Sequence, residues 1–186
     1  ADNQLVSAGT LSILRNASAP GTVETDLEIA GVMVASGLVT ITANRNVLFT
    51  GSNADLSSGG GNINVTADAN NGTVPGGAIA MVDGASMDSG TGTITLAATG
   101  DITVTGLSSV RAPGAVETTI SLTSSAGGIA DAGDTLPDIT ASNANARILL
   151  SAQTGIGSAG ALEINGGVVD ASVVSGDILL TESDGI

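Results

Sequence analysis

The 186-residue chain has no cysteine and no histidine. The first absence rules out a disulfide framework and any thiolate metal site. The second removes the commonest transition-metal ligand and the usual general base of enzymes. Tryptophan and tyrosine are missing as well, and Phe49 is the single phenylalanine. Aromatic rings normally fill the wide, irregular interior of a globular domain, so a core built without them must be narrow and lined by repeated aliphatic groups. Lysine is also absent. Arg15, Arg45, Arg111 and Arg147 stand alone against 18 acidic residues, giving a net charge of -14. That balance excludes nucleic acid, whose binding needs cations against phosphate. It disfavours anionic membrane surfaces and favours divalent cations. The apolar runs fall far short of the about 18 residues that a membrane-spanning helix requires, so membrane insertion is not expected.

What is present is apolar and patterned. Hydrophobic residues make up 42% and the mean hydropathy is +0.40, which argues against disorder despite 27 glycines. The most regular stretch, Gly92 to Gly106, holds two short runs of alternating apolar and hydroxyl residues around a Gly100-Asp101 turn. Strand side chains alternate with a period of two, so Ile94, Leu96, Ile102 and Val104 share one face and the threonines the other. Copies of the first run begin at Leu11, Val39, Ile63, Ile94, Ile120, Ile148 and Ile178, in steps of 28, 24, 31, 26, 28 and 30 residues.

A second short run follows in most units, at Val47, Ile102, Ile129 and Ile156. In the third unit it is delayed to Ile79 by an insertion over 70–77. A third apolar patch closes the units at Val32–Val34, Ala85–Met87, Leu107–Val110 and Val168–Val174. No window holds a helical apolar stripe. Turn dipeptides such as Asn71-Gly72, Asp83-Gly84, Gly176-Asp177 and Asp184-Gly185 punctuate the chain instead. Ala19-Pro20-Gly21 before Val23–Thr25, and Ala112-Pro113-Gly114 before Val116–Thr118, look like one loop used twice.

The pattern predicts an all-β parallel β-helix (β-solenoid), with about seven irregular turns of roughly 28 residues and three short strands per turn. Residues 1–186 form one such domain. With few residues before the first run and an incomplete last unit, it is expected to be a segment of a longer chain or a subunit that stacks end to end. Equivalent side chains sit above one another, so stacked charges would be costly. Most acids, among them Asp83, Asp88, Asp131, Asp134 and Asp138, are placed in turns rather than on outward strand positions.

Ile148 to Gly157 and Ser175 to Ile186, together with Thr119 to Gly128 and Gly92 to Gly106, resemble the degenerate repeats of filamentous-haemagglutinin-like adhesins and giant repetitive bacterial exoproteins. The resemblance implies a right-handed β-helix, secreted or displayed on the bacterial cell surface, serving as an adhesive stalk or fibre. It brings no catalytic residues. Its implied partners are other copies or adjoining repeats of the same chain, and host or cell-surface glycans.

Four sets of residues are candidates for more than structure. Asp131, Asp134 and Asp138 fall within eight residues. Calcium takes six to eight oxygens, which solenoid turns can supply, so these acids form a candidate calcium site. The plainer reading is solvated turns, and no cofactor other than calcium is expected. Glu24, Glu28, Glu117, Glu163 and Glu182 are scattered one per turn, which does not suit the paired carboxylates of a polysaccharide-degrading enzyme. That enzyme is the alternative from another class, and no catalytic site is expected. The four arginines form either a sparse basic edge or, more plainly, isolated surface pairs. Finally, Leu149 and Leu179 fall on outward positions where earlier units carry Ser12, Thr40, Asn64, Thr95 and Ser121. They mark a face covered by a loop of the same chain or by an interface.

Overall fold

The computed structural model describes residues 5–7, 9–15, 26–69 and 77–183. The repeated Ala-Pro-Gly loop at 19–25, Glu24, most of the insertion at 70–77, and residues 184–186 lie outside them. Among the described residues there is no helix. The chain winds through three parallel sheets in strict rotation, so each strand pairs with its equivalents one coil below and one coil above. This is a parallel β-solenoid.

The seven-stranded sheet carries the alternating runs: Leu11–Arg15, Val39–Ala43, Ile63–Thr66, Ile94–Ala98, Glu117–Ser124, Ala146–Ala152 and Val168–Val173. The five-stranded sheet holds Leu27–Ile29, Val47–Phe49, Ile79–Met81, Ile102–Val104 and Ile129–Asp131. Single bridges from Ile129 to Ile156 and from Ile156 to Ile178 extend its line. The eight-stranded sheet runs from Leu5–Ser7 to Leu180–Glu182.

Register turns the alternation into columns. Leu11, Val39, Ile63, Ile94, Ile120 and Ile148 are successive partners. From Val39 to Ile148 every member is fully buried. Beside them run Ile41, Val65, Leu96, Leu122 and Leu150, buried likewise. Each β-branched or leucyl group meets its own kind at strand spacing, so a narrow core fills without rings. The hydroxyl face behaves as its sequence implies: Ser12, Thr40, Asn64, Thr95, Ser121 and Leu149 form one outward column.

Where the eight-stranded sheet bends into the seven-stranded one, the backbone closes in on itself. Gly37, Gly61 and Gly92 stack here, and a Cβ on Gly92 would lie 2.0 Å from the Gly61 carbonyl oxygen. The buried serines of the same corner spend their hydroxyls on carbonyls that no strand pairs. Ser89 Oγ donates to Gly92 O at 3.1 Å, and Ser109 Oγ to the same oxygen at 2.8 Å. At the next corner side chains tie one coil to another: Asn46 Nδ2 donates to Asp26 Oδ1 at 2.9 Å, and the Gly128 amide to Asp101 Oδ1 at 2.8 Å.

The last coil departs from the sequence reading. The partner of Ile148 is Val169, 21 residues on, and not Ile178. Ile178 bridges Ile156 in the line of the five-stranded sheet, and the closing patch of that coil is Leu162–Gly166 rather than Val168–Val174. The physical reason is a shorter coil. Leucine-rich Ile178–Thr181 imitates Ile148–Ser151 in alternation, while the weaker run Val168–Val173 occupies the sheet.

Candidate functional site

The five-stranded sheet meets the eight-stranded sheet at a corner whose length varies from coil to coil. In one coil only Thr105 and Gly106 separate Ile102–Val104 from Leu107–Ser109. In the next, residues 132–138 separate Ile129–Asp131 from Ile139–Ala141. The added length carries Asp134 and Asp138, and it brings their carboxylates back towards Asp131. One oxygen from each of the three lies within 4.8 Å of the others, and this is the only such acidic group among the described residues.

Asp131 is not a turn residue, contrary to the sequence reading. It ends its strand as the direct partner of Val104, in the inward column that holds Ile29, Phe49 and Met81 in earlier coils. A half-buried carboxylate thus stands where apolar side chains fill the core below. Asp138 is also no solvated acid, being fully buried. It immediately precedes Ile139, whose partner one coil above is Ile164, so Glu163 lies directly over it.

Backbone and hydroxyl donors fix each carboxylate. The Gly133 amide donates to Asp131 Oδ1 at 2.6 Å, and the Leu136 amide to Asp134 Oδ1. Thr105 Oγ1, from the coil below, donates to Asp134 Oδ2 at 2.7 Å. The Glu163 amide, from the coil above, donates to Asp138 Oδ2 at 2.9 Å. Asp138 Oδ1 and Glu163 Oε2 are buried and have no donor. Burial pushes the Asp138 carboxyl up to about 8, and the Glu163 amide opposes the rise. The negative charge of Asp131 and the Glu163 side chain, the latter within hydrogen-bonding reach, add to it.

No described cation offsets this charge through a pair. Arg45 Nε faces Asp26 at 3.4 Å, Arg111 bonds Glu117 at 2.8 Å, and Arg147 Nε donates to Thr118 Oγ1 at 3.0 Å. Arg15 lies on Leu11–Arg15 at the far edge of the seven-stranded sheet.

The other candidates separate. Asp83 sits in a turn, and Asp88 ends Ser86–Asp88, where it accepts from the Gly90 amide at 2.8 Å. Neither joins a cluster of three acids. Glu28 and Glu182 lie on separate strands, Glu117 is held by Arg111, and Glu163 lies against Asp138. Leu149 and Leu179 do not share a column. Leu149 is half-buried and its outward partner above is Asp170, whereas Leu179 is 49% exposed and its amide donates to Ile156 O in another face. The pairing of the two leucines is therefore corrected: it rested on placing Ile178 above Ile148. Sequence reasoning also missed Glu163 as a neighbour of the aspartates. Only the register of Leu162–Gly166 on Ile139–Ala141 reveals it.

The fold defines the class of protein, a parallel β-solenoid, here with a cluster of three aspartates at one corner. Comparison with protein-family models, with curated proteins and with solved structures returns no match.

Proposed function

We propose that the chain is a structural segment of an extracellular bacterial β-solenoid, a stalk or fibre of an adhesin or exoprotein, and not an enzyme. The observation that carries this reading is the continuity of the ladders. Aliphatic columns run in register from Val39 to Ile148 with hydroxyl columns outside them, and the backbone hydrogen bonds lie along the stack. Six strand spacings in the seven-stranded sheet give a rod on the order of 30 Å. A stack of this kind resists bending and shear, and its variable corners leave room for recognition of host or cell-surface glycans. An antibody against the folded chain tests the reading. It should label intact cells of the source and lose its target when those cells are treated with protease. Antigen reached only after lysis would contradict it.

A second reading, a filament or surface-layer subunit joined end to end by strand pairing, draws on a separate observation. On the last described coil, Val169, Val174, Ile178 and Leu179 are exposed, at 36%, 75%, 40% and 49%. A further coil, whether of this chain or of a second copy, would cover these side chains by β-augmentation. Sedimentation velocity over a hundredfold range of concentration should show growing assemblies, which Ile178→Lys abolishes. A single species throughout would exclude this reading.

A further inference from the structure

We propose that Asp131, Asp134 and Asp138 form a calcium site that closes the corner between the five-stranded and eight-stranded sheets, with the Glu163 carboxylate adding charge from the coil above. Two observations converge. The three aspartates bring oxygens to within 4.8 Å of one another, the largest separation that two ligands can have around one ion when each is about 2.4 Å from it. Independently, Asp138 is fully buried and its Oδ1 has no hydrogen-bond partner. Once ionised, Asp138 is a buried acceptor without a donor, which is costly; a cation held with Asp131 and Asp134 satisfies it, where in the metal-free chain a proton held against Glu163 does so.

The chemistry selects the ion. All the ligands are oxygens, and the chain has neither histidine nor cysteine, so softer transition metals gain little here. Magnesium demands near-ideal octahedral geometry and gives up its waters reluctantly. An irregular seven-residue corner with three carboxylates and a fourth beside them suits the larger, more adaptable calcium ion. The carboxylates are already oriented by the Gly133, Leu136 and Glu163 amides and by Thr105, as outer hydrogen bonds orient metal ligands elsewhere. The placement of Asp131 gains a reason. The inward column gives up an apolar group at the coil where the corner lengthens, and the ion takes its place as the filling of that corner. Calcium binding here does not depend on the chain being a stalk.

The test uses the whole chain, freed of metal with chelator and titrated with calcium chloride by calorimetry and thermal unfolding. Wild type should bind one equivalent. At a hundredfold excess over Kd its Tm should rise by about 5–10 °C, given the linkage between binding and stability for a chain of this size. Asp131→Asn, Asp134→Asn and Asp138→Asn should each weaken binding at least tenfold. Asp138→Asn removes a desolvated carboxyl, so this variant is expected to fold without the ion. Asp83→Asn with Asp88→Asn, two coils below the cluster and not part of it, should titrate as wild type does. Absence of binding heat and of a Tm shift in wild type would overturn the proposal. So would a wild-type response in all three corner variants, or an equal shift with magnesium chloride at the same concentration, which marks diffuse screening of an acidic surface.

Discussion

Replacing Gly92 with alanine tests the tightest contact in the stack. The added Cβ would lie 2.0 Å from Gly61 O, 2.4 Å from Gly61 C and 3.0 Å from Asn62 N. Those are backbone atoms of the coil below, so no side chain can swing aside. Nor can that coil drop, because a Cβ built on Gly61 would itself meet Gly37 C at 2.2 Å. The corner must therefore open, and opening it strains the bonds that Ser89 and Ser109 donate to Gly92 O, as well as the Gly92 amide's bond to Ser89 O at 3.0 Å. Overpacking of this kind costs about 1–3 kcal/mol. One or two weakened hydrogen bonds add about 1 kcal/mol each, for a total of roughly 2–5 kcal/mol. Gly114 supplies the control, since a Cβ there meets nothing within 4 Å and its φ is not in the left-handed region. Gly114→Ala should be neutral or gain up to about 1 kcal/mol through the unfolded chain. Urea unfolding followed by circular dichroism measures both. Equal stability of Gly92→Ala and wild type, or equal losses in the two variants, would refute the close stacking of this corner.

Three further outcomes follow from the core and the charges. Ile94 is fully buried between Ile63 and Ile120, so Ile94→Ala should cost about 2–5 kcal/mol in the same assay and Ile94→Val about 1 kcal/mol. In the Arg111–Glu117 pair the arginine is half-buried and the glutamate exposed, and Arg111→Ala should change stability by about 1 kcal/mol or less. In chelator, Asp138 makes stability depend on pH. Its carboxyl is raised from an ordinary 3.8 to about 8, so between those values the folded chain holds a proton that the unfolded chain has lost. Stability therefore falls as pH rises through that window, by a few kcal/mol. Denaturation midpoints at several pH values should show the fall in wild type and a shallower one in Asp138→Asn. Identical profiles would contradict the burial of this group among Asp131, Asp134 and Glu163.

The fold was legible because its signal is one of period. Six of the seven first-run starts, Leu11 to Ile148, are register partners in the structure, since alternation marks strands and repetition marks stacking. The seventh was lost because alternation names a strand without saying to which face it belongs. Ile178–Thr181 and Ile148–Ser151 look alike, and only the length of the intervening coil tells them apart. The site was half legible. Proximity in sequence picked out Asp131, Asp134 and Asp138, but their environment depends on contacts between coils. Asp131 turns inward because it pairs with Val104, Asp138 is buried under Glu163, and Thr105 reaches Asp134 from 29 residues away. None of these relations has a local sequence mark.

The central claim is the register of the coils, and cross-linking tests it most directly because the natural chain has no cysteine to interfere. Leu149 and Asp170 are direct partners on adjacent parallel strands, whose spacing of about 4.8 Å falls within the Cα separation of a disulfide. With Leu149→Cys and Asp170→Cys together, mild oxidation should give a disulfide within one chain in nearly full yield. Leu149→Cys with Leu179→Cys should remain reduced under the same conditions. Efficient closure of the second pair and not the first would mean that Ile178 stacks above Ile148, and the coil order described for the end of the solenoid would be wrong.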